Sequence, residues 1–306
     1  MAEGSVTRRF RRILPLRKKV PRGLRLIAKD LYRVGRRADS GEQQVVFIVG
    51  CQRSGTTLLT LIFERDYSAK VYGEFSRLSS MDVEEGLRLN PLNDVRETFE
   101  KSGYPLIVTK PLVETHRLLE LQEYFPGSKA IWIYRNFEDV ASSDLVEFGA
   151  GNGVRNLRPI VLNTPGNWRA QGTSQTTREL ISEYFTEGMS NQDAAALFWY
   201  ARNSLFFDMC LAENPAVIMV KYEELVTRPT RILSQIYDFI RQDLPATNLY
   251  KGVNGKSIGK GGSIDLSPPI LELCSSMLER LDDALMAQRS RGQAIGETGR
   301  LAGSGS

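Results

Sequence analysis

Residues Val45–Leu59 read VVFIVGCQRSGTTLL. The first five are β-branched or aromatic; a glycine, a polar turn and Thr-Thr-Leu-Leu follow. An apolar run bounded by glycine reads as a buried strand, and the polar turn leads into a helix. A strand, a glycine turn and a helix N-terminus together form an anion cradle, because free backbone N–H groups point at the ligand. The loop that holds nucleoside triphosphates requires G-x-x-x-x-G-K-[ST]. Here Gly50 to Thr57 read G-C-Q-R-S-G-T-T, so the lysine after the second glycine is missing. Gly50 and Gly55 permit close backbone approach, Arg53 supplies a cation, and Ser54, Thr56 and Thr57 supply hydroxyls. The same residues would also suit a plain strand–turn–helix capped by Ser and Thr.

Working outward, apolar strands and amphipathic helices alternate. Strands are expected in SAKVYGE, in PLIVTK (105–110), in KAIWIYRN (129–136) and in AVIMVKYEEL. Helices are expected from Thr56 to about Arg65, over 91–103, in LVETHRLLELQEYF, from FEDVASSDLVEFG, in DAAALFWYARNSLFFDMCLAE, in TRPTRILSQIYDFI and in SPPILELCSSMLERLDDALM. Residues 149–176, rich in Gly, Asn, Pro and Thr, read as a loop over a site. Alternation of this kind predicts an α/β fold: a single domain with a P-loop-like parallel sheet flanked by helices on both faces. The expected organisation is a basic arm over 1–40, a domain over 41–295 and a disordered tail over 296–306. Ligands of such sheets bind beyond the carboxyl ends of the strands, where every motif described here lies.

The chain has 306 residues, 42% hydrophobic and 25% charged, ordinary values for a globular protein. Cys51, Cys210 and Cys274 are too few for a disulfide framework, and no signal peptide is visible, so a reduced, cytoplasmic protein is expected. No apolar run reaches the roughly 20 residues of a spanning helix. The net charge of +4 is unevenly spread. Residues 1–37 hold 13 Lys and Arg against Glu3 and Asp30, a net of +11; the rest holds 27 against 34, a net of −7. Such an arm suits peripheral contact with an anionic membrane, a helix packed on the domain, or a targeting peptide. An acidic body without a recognition motif argues against nucleic acid.

A second anion site is suggested by IWIYRNFEDVASS, which places Arg135 at a strand end and Ser143 eight residues on. A guanidinium and a hydroxyl suit a second phosphate; a surface arginine and an ordinary helix serine are the plain alternative. With both segments in view, the chain resembles the sulfotransferases that use 3′-phosphoadenosine 5′-phosphosulfate (PAPS). QRSGTT resembles their 5′-phosphosulfate loop, and YRNFEDVASS their 3′-phosphate segment, with Arg135 and Ser143 at matching positions. VKYEELVTRP and SIGKGGSIDLS resemble the later strand–helix turn and the glycine-rich loop near the C-terminus. The four occur in family order from residue 45 to about 270.

The resemblance implies PAPS as donor, adenosine 3′,5′-bisphosphate (PAP) as product and no metal, since there is no β,γ-bridging Mg²⁺ to organise. It assigns Arg53 to the bridging oxygen and sulfonate. Lys256, Lys260, Gly261 and Gly262 are expected to close over the 3′-phosphate or adenine side, and Tyr222 to lie near the nucleotide.

The family's phenol-acting branch uses a histidine two residues after a strand-end lysine. Here Lys110 is followed by Pro111 and Leu112, and the sole histidine, His116, is misplaced for a base. Glu74 in VYGEFSRL resembles the Gly-Glu of the tyrosylprotein and carbohydrate branches, where the carboxylate is the base. Lys110 is a candidate contact for the sulfonate or acceptor, and Ser263 matches a serine that assists transfer in the tyrosylprotein branch. Each also has a plain reading: a capping glutamate, a strand-end lysine, a loop serine. Trp199 and Asn203 read as core, and Cys51 as a small buried residue with no histidine to activate it. Trp168 and Arg169 mark the region of acceptor choice, the acceptor being a carbohydrate, glycolipid or other hydroxylated metabolite. Two other functions fit parts of the pattern: a kinase or nucleoside triphosphatase with a degenerate loop, and a non-catalytic, membrane-associated nucleotide-binding scaffold.

Overall fold

A computed structural model describes residues 43–82, 86–262 and 264–303. Five strands form one sheet: β1 (Gln44–Gly50), β2 (Ala69–Tyr72), β5 (Leu106–Thr109), β6 (Lys129–Tyr134) and β7 (Val217–Lys221). Their order is β2-β5-β1-β6-β7, and every pairing is parallel. β1 is central, with Val46 opposite Val108 on one side and Lys129 on the other. All five strands therefore end at the same edge. A separate antiparallel hairpin joins β3 (Ser79–Asp82) to β4 (Gly86–Leu89).

The alternation within β1 divides the core in two. Val45, Phe47 and Val49 face one apolar cluster; Val46 and Ile48 face the other. Helices cover both faces because both faces of each central strand are apolar. α1 (Thr56–Phe63) and α2 (Leu92–Ser102) come first. A 3₁₀ turn, Leu112–Arg117, leads into α3 (Leu118–Tyr124). α4 (Phe137–Phe148) starts at Asn136, whose side chain accepts from Asp139 N, with Glu138 and Asp139 complementing the dipole of the first turn. α5 (Asn152–Val161), α6 (Gln175–Tyr184) and α7 (Asn191–Asp208) follow, then α8 (Tyr222–Thr227), α9 (Pro229–Phe239) and α10 (Pro268–Gly303).

The α/β expectation holds. Three local readings change. Residues 149–176 are not one loop: α5 occupies Asn152–Val161, with Leu157 and Ile160 buried, and only 149–151 and 162–174 lack helix and strand. Pro159 sits inside α5 and masked its helical signal. The segment after Lys110 begins as a 3₁₀ turn, with His116 in it, rather than as one α-helix. α10 runs through Gly303, across most of the stretch expected to be a disordered tail. The basic arm, residues 1–40, lies outside the described residues.

Candidate active site

The loop after β1 is shaped by close packing. Gly50 has φ +134°, and a Cβ there would stand 2.3 Å from the carbonyl oxygen of Ile133. Gly55 has φ +99°, and its Cβ would stand 2.3 Å from the Tyr222 ring. Both positions require glycine for conformation and for space. Arg53 between them takes φ +65°, an uncommon value for a residue with a side chain. Ser54 and Thr56 are buried and Thr57 is exposed at the start of α1.

Arg53 Nε donates to Ser143 Oγ at 3.0 Å, and its Nη2 lies 3.5 Å from Glu147 Oε2. The two segments predicted to grip opposite ends of one nucleotide are thus tied to each other. Ser143 stands with Arg53 rather than with Arg135, one turn of pairing that strand-to-helix spacing alone did not reveal. Burial draws the Arg53 guanidinium below the ordinary arginine range, against the pull of Glu147.

Across the edge of the sheet, Lys110 Nζ stands 3.2 Å from Glu74 Oε2 and donates to Thr57 Oγ1 at 3.3 Å. The two charged side chains are 11% and 14% exposed, so the pair is shielded yet reachable. Lys110 N also donates to Tyr72 O at 3.0 Å, fixing the end of β5 against the strand that leads to Glu74. Glu74, Lys110 and Thr57 thereby meet at the mouth of the glycine loop.

The Arg135 end is more elaborate than the sequence suggested. Arg135 Cζ lies 4.4 Å from the Tyr222 ring centroid, and its Nη2 donates to Ser257 O at 2.5 Å. The same nitrogen lies 3.2 Å from Asp139 Oδ2. Tyr222 Oη and Ser257 Oγ share a 2.6 Å hydrogen bond. Asp139 then reaches the glycine-rich loop: Oδ2 accepts from Gly259 N at 3.1 Å and Oδ1 from Gly261 N at 2.8 Å. A Cβ on Gly261 would come within 2.2 Å of the Glu138 backbone. Gly262, Lys256 and Lys260 are exposed on this loop. Ser263 lies outside the described residues. Trp199 is buried, as expected, and its indole N–H donates to Arg135 O at 3.0 Å, which fixes the end of β6.

His116 does not join Glu74 and Lys110. It packs against Gly172, and burial with Arg202 beside it lowers its pKa to about 4. Cys51 is buried and its thiol is pushed up to about 12, first by burial, so it is no nucleophile near neutrality. Sequence reasoning missed Asp139 and Arg202. Asp139 looked like a first-turn acid, and Arg202 lay within the apolar helix run AAALFWYARNSLFF. Among the described residues no three His, Cys, Asp or Glu side chains gather as a metal site, and no helix is long and apolar enough to span a membrane.

Residues 43–254 match the family model described as the sulfotransferase domain. The chain is similar in fold to the sulfotransferase domain from the curacin biosynthetic pathway, at 15% identity and a TM-score of 0.53, over 79% of this chain and 99% of that one. It is also similar to the sulfotransferase domain of the Synechococcus PCC 7002 olefin synthase, at 16% identity and TM-score 0.45, over 78% of this chain and 96% of that one. A sulfotransferase from Alicyclobacillus acidocaldarius aligns at 14% identity and TM-score 0.46, over 79% and 94% of the respective chains. No curated protein matches the sequence.

Proposed function

This chain belongs to the sulfotransferase family, and on that premise we propose that it transfers a sulfonate from PAPS to the hydroxyl of a carbohydrate, glycolipid or other hydroxylated metabolite, with Glu74 as base. The observation that carries this reading is the Lys110–Glu74 pair, 3.2 Å apart at the mouth of the glycine loop. PAPS supplies an activated sulfonate whose leaving group is a phosphate. The residues present suit such a group: Gly50 and Gly55 crowd the backbone into the loop, Arg53 supplies a cation within it, and α1 begins at Thr56 with its free N–H groups. Arg53, Ser54, Gly55, Thr56 and Thr57 would hold the 5′-phosphosulfate. Arg135, Ser257, Tyr222 and the loop bearing Lys256, Lys260, Gly261 and Gly262 would hold the 3′-phosphate and its surroundings. Ser143 would aim Arg53.

In the transfer, Glu74 accepts the acceptor's hydroxyl proton as that oxygen bonds to sulfur. The bond from sulfur to the phosphate oxygen breaks in line, giving a sulfate ester and PAP. Lys110 and Arg53 offset the negative charge that builds on the transferring group and on the leaving oxygen. Calorimetry with PAP against ATP separates this reading from a degenerate triphosphatase: tight PAP and weak, Mg²⁺-independent ATP binding is expected. Transfer of label from PAPS to an acceptor panel separates it from a non-catalytic scaffold. The domain is read as 41–295, with the +11 segment over 1–37 as an arm that contacts anionic membrane. Liposome flotation with and without the arm tests that part, and unchanged flotation without it would remove the idea.

A further inference from the structure

Arg202, in the middle of α7, is 1% exposed, and neither its Nε nor its two terminal nitrogens has a hydrogen-bond partner. A buried cation with no hydrogen-bonded partner is among the least favourable arrangements in a protein interior. Each such group calls for an explanation, and an absent ligand is one. Arg202 Cζ lies 5.2 Å from the Trp168 ring centroid, and Arg169 Cζ lies 4.3 Å from the same ring. Two guanidinium groups therefore share one indole. Arg169 has a single side-chain bond, from its Nε to Asn156 Oδ1 at 2.6 Å. Burial draws both below the ordinary arginine range, Arg202 to about 10, and Arg169 adds like-charge repulsion to that of burial.

The neighbouring acids are already engaged. Arg88 holds both oxygens of Glu114, at 2.8 and 3.1 Å, and Arg117 approaches it as well. Lys110 holds Glu74. His116 presents a buried Nδ1 without a partner and stays neutral near pH 7. Arg202 is close enough to Cys51 in the loop and to Glu74 to feel both electrostatically. Its cover is residues 162–174, which have neither helix nor strand and whose Gly172 rests on His116 and Leu205.

We propose that Arg202 and Arg169, with Trp168, bind an anionic group of the acceptor, a carboxylate or an ester of phosphate or sulfate, so that the acceptor is a hydroxylated acid. The anion enters beneath residues 162–174, takes donors from both guanidinium groups, and leaves the acceptor hydroxyl toward Glu74. One counter-charge then relieves both cations, and an uncharged acceptor of the same shape leaves them unpaired, which is the strongest form of discrimination a polar site offers. The proposal rests on the sulfotransferase reading only for the identity of the bound molecule as acceptor.

The test compares matched pairs on two scaffolds, glucuronate with glucose and 4-hydroxyphenylacetate with its amide. Binding is measured by calorimetry or saturation-transfer NMR on the full chain, with and without PAP. The acid is expected to bind at least tenfold more tightly than its neutral mate on one scaffold. Arg202→Met should bring the pair within about twofold, while PAP affinity is unchanged; Arg202→Lys should retain part of the preference. Equal binding of acid and neutral molecules on both scaffolds, no binding of either, or a preference that survives Arg202→Met would overturn the proposal. Should Arg202→Met fail to fold, Arg169→Met gives the same readout from a less buried position. Absence of PAP binding would count against the donor reading and leaves the acid–neutral comparison on the PAP-free protein decisive.

Discussion

Lys110 Nζ stands 3.2 Å from Glu74 Oε2, and the same ammonium donates to Thr57 at the start of α1. One lysine thus links the end of β5, the carboxylate after β2 and the glycine loop. Glu74→Gln keeps the shape and a hydrogen-bond acceptor but removes the carboxylate proposed as base. Turnover is expected to fall by about 10²–10⁴-fold, the usual contribution of a general base, with PAP affinity within about twofold of wild type. Steady-state kinetics beside PAP calorimetry checks both. Turnover near wild type would mean that another group takes the proton.

Asp139 holds the glycine-rich loop through Gly259 N and Gly261 N while pairing with Arg135. Bonds to a charged acceptor are worth about 1.5–3 kcal/mol each. Asp139→Ala is therefore expected to free the loop and lower PAP affinity about tenfold or more, while AMP, which lacks the 3′-phosphate, loses little. Gly261→Ala should act in the same direction, because its Cβ would meet the Glu138 backbone at 2.2 Å. The ratio of PAP to AMP affinity is the readout; a parallel loss for both ligands would point to general unfolding instead.

Gly55→Ala is expected to abolish detectable PAP binding. Its Cβ would overlap the Tyr222 ring at 2.3 Å, and its φ of +99° suits glycine alone. Strained backbone of this kind costs about 1–3 kcal/mol, so the thermal midpoint should drop as well. In the double variant with Tyr222→Ala the overlap is gone and the strain remains, so stability should recover only in part. Full recovery would show that the backbone angle was no constraint.

His116 makes a signed prediction about pH. Its pKa falls from 6.5 to about 4 in the folded chain, mainly through burial. Below pH 6.5 the unfolded chain takes up a proton that the folded one refuses. The stabilising contribution is complete above that pH, is lost as pH falls toward 4, and is constant below it. His116→Gln should make the decline in thermal midpoint over that interval shallower without a comparable loss of turnover at pH 7. An unchanged slope would rule out His116 as the source.

Periodicity made most of the fold legible because β1, β5, β6 and β7 are runs of Val, Ile, Leu and aromatics with no competing pattern. α5 was not legible, since Pro159 and flanking glycines imitate a loop while Leu157 and Ile160 anchor a helix. In the candidate site, Arg53, Glu74 and Lys110 could be named because each follows a strand end within a few residues of a recognisable motif. That Ser143 serves Arg53, that Asp139 fastens the glycine loop and that Arg202 lies unpaired beneath Trp168 depend on packing between segments far apart in the chain. Spacing along one segment carries no record of such meetings.

Helix α7 carries Trp199, which anchors the carbonyl of Arg135, and Arg202 three residues on, roughly one turn away on the same side. The proposed nucleotide end, at Arg135, and the proposed anion end, at Arg202, are therefore mounted on a single helix. A ligand bound at either proposed site would order the same helix. The two ligands should then raise each other's affinity by one common factor, as linkage requires, and that factor should vanish when the indole hydrogen bond to Arg135 is removed by Trp199→Phe.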